Sequence, residues 1–147
     1  MLKQFYMNGD LWRVHFVSPH DNVLIDRTGQ RTLAVSDYST MTISIANNLH
    51  GELLNRVFIH ELGHCVMFSY GLLTELHRMV KKRYWVDAEE FVCNILSDYG
   101  QFVIGTARDI LGNQFTYVSC MMLLEAKTTY FLSFFVSWFN TFRYCDF

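Results

Sequence analysis

Proline is nearly absent from this chain, with Pro19 the only one among 147 residues, so little interrupts the backbone beyond the glycines. Paired cysteines are missing too. Cys65, Cys93, Cys120 and Cys145 lie far apart with no C-x-x-C pair, which argues against a disulfide framework and against an all-cysteine zinc site. Reduced thiols in a cytoplasmic setting are the simpler expectation. The N-terminus, MLKQFYMNGDLWRVHF, has neither an apolar core of signal-peptide length nor a small-residue cleavage site. An excess of one charge is lacking as well. At a formal net charge of -2 there is no electrostatic footprint for nucleic acid, and the short basic cluster HRMVKKR at 77–83 reads as a solvated helix end.

A chain of this length can bury a sizeable core as one domain, and one domain over 1–147 is the expectation. Residues 11–18, LWRVHFVS, alternate as a strand that Pro19 closes. RTGQRTLAV reads as a turn at Gly29 leading into a second strand. MTISIAN at 41–47 alternates as a half-buried strand with one polar face. Asn48 then offers a cap to a long helix running to about Tyr70. LLTELHRMVKK makes a shorter helix after Gly71. DAEEFVCNILSDYGQFVIG at 87–105 makes a third, with Ala88, Phe91, Val92, Ile95, Leu96 and Tyr99 along one face. From Asn113 to Phe147 the chain is dense in aromatics. Its uncharged stretch 128–142, TTYFLSFFVSWFNTF, has 15 residues, short of the roughly 18–20 that a spanning helix needs. A packed terminal helix is the favoured reading of it, and membrane contact through 128–142 the less favoured one.

The long helix contains FIHELGHCVMF, residues 58–68. Burying two imidazoles and a carboxylate among such apolar neighbours is unfavourable unless something binds them. On a helix, residues four apart differ by only about 40° around the axis, so His60 and His64 project side by side and can meet one ion. Zinc accepts such imidazoles, and a catalytic site adds one further protein ligand while keeping a position open for water. Glu61 can reach that water without binding the metal. Gly63, which costs roughly 1 kcal/mol in a helix relative to alanine, would let another backbone come close beside the site.

The third ligand is expected from DAEE, at the start of the third helix. Taking the apolar face of that helix as reference, Glu90 points nearly away from it and Glu89 stands about a quarter-turn to one side. Asp87 lies at a similar angle on the opposite side with a shorter reach. Glu89 is the preferred ligand, with Glu90 and Asp87 the alternatives. His77, Tyr84 and Tyr99 are considered for stabilising a developing oxyanion, and that role stays open.

HELGH with a downstream glutamate on a helix resembles the gluzincin class of zinc peptidases, and within it the minigluzincins and the ImmA/IrrE-like metallopeptidases. Compact HELGH proteins of this kind are encoded by bacteriophages and mobile elements. The resemblance covers about 30–105. It implies an α+β, compact zincin-like domain: a small N-terminal antiparallel sheet packed on the HExxH helix, a glutamate-bearing helix and a C-terminal helix. It also implies one Zn²⁺ held by His60, His64 and Glu89, with Glu61 as general base. The E-A-N-x-F-A pattern common in ImmA/IrrE-like chains would align Asp87 with the third ligand, whereas an E-G-F-A pattern matches EEFV and selects Glu89. The expected activity is hydrolysis of a peptide bond in a protein or peptide substrate, which could add as an extra strand along an edge offered by MTISIAN. A zinc-stabilised binding or regulatory module is the alternative.

Overall fold

In a computed structural model that describes residues 3–116, the chain begins with a hairpin. Asn8 and Gly9 both take positive φ, 50° and 92°, the backbone of a two-residue type I′ turn, and they join β1 (Lys3–Met7) to β2 (Asp10–Val17). Phe5 stands opposite Trp12 in that pairing. After a turn of 3₁₀ helix at Asn22–Leu24 come β3 (Ala34–Asp37) and β4 (Thr42–Ala46). Gly29 lies in the intervening turn, its N–H donating to the Asp26 carbonyl.

The sheet order is β1-β2-β4-β3. β4 runs parallel to β2 and antiparallel to β3, so the sheet is mixed, where an antiparallel one was expected. The cause is a crossover. The chain leaves β2, lays β3 outside, and returns β4 into the space between. β4 is therefore covered on both faces: Ile43, Ser44, Ile45 and Ala46 are all buried, and the expected polar face is absent. Among the described residues, the free edge near the helices belongs to β3.

α1 (Gly51–Ser69) follows directly, preceded by His50 rather than Asn48 and without a side-chain cap. Its second half shares the core with Trp12, Val14, Leu24, Ile43 and Ile45 through Cys65. The Trp12 indole N–H donates to Ser69 Oγ at 2.9 Å, which ties the C-terminal end of α1 to the sheet. α2 (Leu72–Met79) and α3 (Trp85–Leu111) come next.

α3 packs the other way round from the expectation. Its buried residues are Glu89, Cys93 and Ser97, while Phe91, Ile95 and Tyr99 of the apolar stripe are exposed. The small and polar face thus meets α1. Residues up to Phe115 form one compact unit. The expectations of a domain continuing to Phe147, of a C-terminal helix and of membrane contact at 128–142 fall outside the described residues. Among the described residues, no helix is long and apolar enough to cross a membrane.

Candidate metal centre

The two histidines of α1 meet as their spacing requires. His60 Nε2 and His64 Nε2 are 3.2 Å apart. An ion with metal–nitrogen bonds of about 2.0–2.1 Å in tetrahedral geometry sets its donors about 3.3–3.4 Å apart, so this separation fits two ligands on one ion. His60 is half-buried and His64 buried. Tyr38 OH lies 3.3 Å from His64 Nδ1. A tautomer that donates Nδ1–H to the phenol oxygen leaves the Nε2 lone pair free for a metal, the usual support for a ligating imidazole.

The carboxylate that joins them is Glu90. Its Oε2 is 3.2 Å from His60 Nε2 and its Oε1 is 3.4 Å from His64 Nε2, both close to a tetrahedral edge. Glu89, the preferred residue on sequence grounds, is instead held elsewhere. It is 2% exposed, takes the Arg27 guanidinium on Oε2 at 2.7 Å, and has His77 Nε2 at 2.7 Å from Oε1. The His77 ring stacks on Trp85 at 4.2 Å. Asp87 is exposed in the first turn of α3. The helix geometry used to rank these residues holds, since Glu90 does point away from the apolar stripe. The stripe, however, faces outward, so pointing away from it means pointing at α1. Of the residues considered for an oxyanion, His77 is engaged by Glu89, and Tyr84 and Tyr99 are exposed.

Glu61 stands beside this group but is bound separately. Its carboxylate accepts a hydrogen bond from Ser36 Oγ of β3 at 2.6 Å, and the residue is buried. Burial pushes its carboxyl above the ordinary carboxylate value, toward the range useful to a general base. The hydrogen bond to Glu90 holds His60 above its ordinary value, and the same contact holds Glu90 well below the usual carboxylate range.

A cysteine completes the cluster. Nitrogen atoms of His60 and His64 and Sγ of Cys93 all lie within 4.8 Å of one another, and these three residues could hold a metal ion. Cys93 reaches them because Gly63 has no side chain. A Cβ on Gly63 would meet Cys93 Sγ at 3.0 Å and Cys93 Cα at 3.3 Å, so α3 crosses α1 at this glycine. Burial pushes the Cys93 thiol up to about 12, which makes it a neutral thiol in the absence of a cation. Sequence reasoning assigned no role to Ser36, Tyr38 or Cys93. Ser36 and Tyr38 carry no local signal, and Cys93 had one, its three-residue offset from Glu90 on the same helix.

His60, Glu61, His64 and Glu90 line a cleft of ≈ 1020 Å³, with β3 along one wall and Arg27 and Tyr38 also among its lining. That volume is at the upper end for a small-molecule pocket. Compared with family models, with curated proteins and with solved structures, the chain finds no match.

Proposed function

We propose that this chain is a zinc-dependent metallopeptidase of small gluzincin type, in which His60, His64 and Glu90 hold one Zn²⁺ and Glu61 is the general base. The observation that carries the reading is the separation of two carboxylate roles. Glu90 closes a triangle of donors with the two imidazoles, while Glu61, next in sequence to a ligand, is held off by Ser36. Those are the positions that metal binding and proton abstraction require of two different carboxylates.

When bound, zinc supplies Lewis acidity: it polarises a carbonyl and makes water a competent nucleophile near neutral pH. The chain's own residues do the rest. Glu61 takes a proton from the attacking water and returns it to the leaving amine. Ser36, donating to the Glu61 carboxylate, fixes which way that carboxylate faces. Tyr38 orients His64 through Nδ1.

The substrate is a protein or peptide in extended form, bound along β3. Leu33 accepts from Ala46 N–H, and pairing continues as Val35 with Ser44, so the backbone groups of Leu33, Val35 and Asp37 face β4. The N–H groups of Ala34 and Ser36 and the Ser36 carbonyl therefore face the open edge beside the cleft, where a peptide can add as a further strand. β4, named for this on sequence grounds, has neighbours on both sides. A cytoplasmic setting agrees with the free, buried thiols of Cys65 and Cys93.

Replacing Glu61 with glutamine keeps the shape and the Ser36 contact but removes the base. The expected outcome is full zinc content with peptide cleavage lowered about 10²–10⁴-fold. Cleavage equal to wild type would remove the assignment. The rival reading, a zinc-stabilised binding module, has one observation in its favour: Cys93 stands close enough to compete for the position that water would need.

A further inference from the structure

We infer that Cys93 is a fourth protein ligand of the metal, so that the resting centre is a coordinatively closed set of His60, His64, Glu90 and Cys93. The inference rests on the reading of His60, His64 and Glu90 as a metal centre and adds how that centre is regulated. Three observations support it. Sγ of Cys93 lies within 4.8 Å of both histidine donors. A tetrahedral zinc with bonds of about 2.0–2.1 Å to nitrogen and 2.3 Å to sulfur wants that separation at about 3.6 Å, so a shift of about an ångström suffices. Cys93 is also fully buried, with Gly63 making the space its sulfur occupies, so the thiol approaches from the contact between α1 and α3 and is not among the residues lining the cleft. The third observation is that Glu90, which meets His60 and His64, and Cys93, which meets Gly63, are three residues apart on α3, so one placement of that helix against α1 brings both donors to it.

Binding exchanges one bond for another. The Cys93 S–H bond breaks, its proton leaves to solvent, and the sulfur electron pair forms the bond to the cation. No oxidant or reductant is needed. Four protein donors satisfy a tetrahedral zinc, so the position for water opens only when sulfur withdraws. The same chain can then rest as a stable metal-bound domain and hydrolyse only in the opened state, which gives both functional readings a place on one site. A thiolate donor also shifts the preference of the site toward softer cations.

The test uses the full-length protein, metal-depleted and reloaded with Co²⁺ alone, followed by absorption spectroscopy. The expected result is stoichiometric binding with a near-ultraviolet thiolate-to-cobalt charge-transfer band. That band should survive replacement of Cys65, Cys120 or Cys145 by serine and vanish in both Cys93→Ser and Cys93→Ala, with zinc affinity of the two Cys93 variants lowered about 100-fold. Stoichiometric cobalt without the band in the wild-type protein would overturn the fourth ligand while leaving the histidine and glutamate centre standing. Failure of the wild-type protein to bind cobalt or zinc would overturn the centre and the inference with it. Because the decisive spectrum is that of the wild-type chain, the outcome does not depend on the Cys93 variants folding.

Discussion

Two glycines in helices make opposite predictions when each is replaced by alanine. Gly63 of α1 and Gly105 of α3 both carry the intrinsic helix penalty of roughly 1 kcal/mol relative to alanine. At Gly105 a new Cβ meets nothing within 4 Å, so Gly105→Ala should stabilise by about 1 kcal/mol, a rise of about 4 °C in Tm. At Gly63 the same methyl meets the Cys93 sulfur at 3.0 Å and its Cα at 3.3 Å, and an α-helix backbone cannot yield as a flexible side chain does. Overpacking of this kind costs about 1–3 kcal/mol, which at least cancels the helix gain and leaves Gly63→Ala neutral to destabilised by about 2 kcal/mol. The strain has a direction. Relief requires α3 to move off α1, and α3 carries Glu90 and Cys93, so zinc affinity should fall by about tenfold. Differential scanning calorimetry of the metal-free variants and competitive zinc titration read the two effects separately. Should Gly63→Ala raise Tm as Gly105→Ala does and bind zinc as the wild type does, the helix crossing described here would be wrong.

The carboxylate assignment predicts a contrast between neighbours: Glu90→Gln should lower zinc affinity by at least tenfold, whereas Glu89→Gln should keep zinc and lose about 1–3 kcal/mol of stability, because it weakens the ion pair to Arg27 and disturbs the hydrogen bond to His77. Zinc titration and thermal melts of both variants decide it, and the reverse pattern would restore Glu89 as ligand. In the pH dependence, His60 is held above its ordinary value of 6.5 by the Glu90 carboxylate, so its contact stabilises the metal-free protein fully below that value and is lost as pH rises through the folded-state value. Zinc must displace that proton, and its affinity should therefore climb as pH increases through the range above 6.5 while metal-free stability declines. The contribution of Glu90 has the opposite sense, present above 4.5 and lost only in strong acid. Titrations across this range on wild type and Glu90→Gln would contradict the pairing if the two showed the same slope.

The parts of the site legible in the sequence are those that depend on one helix alone. His60 and His64 converge because four residues make little more than one turn, and Glu61 comes with them, whatever the rest of the chain does. Glu90 depends on which face of α3 meets α1, and there the usual inference from an apolar stripe failed: Phe91, Ile95 and Tyr99 face outward while Glu89, Cys93 and Ser97 are buried. A buried carboxylate is tolerated at Glu89 because Arg27 and His77 compensate it, and Arg27 is 62 residues away in sequence. The hairpin was legible and passed over, since Asn8-Gly9 between alternating residues is a strong turn signal. The mixed sheet was not legible. The insertion of β4 between β2 and β3 is a long-range pairing that sets Ser44 opposite His15 on one side and Val35 on the other. Ser36 and Tyr38 reach the site through that same pairing, which places β3 over α1.

The most direct measurement is the metal content of the purified full-length protein after incubation with zinc and removal of the excess. One zinc ion per chain is expected, retained in Glu61→Gln and lost in His60→Ala and in His64→Ala. A wild-type protein that remains metal-free, or that binds zinc equally well without the two histidines, would contradict the account.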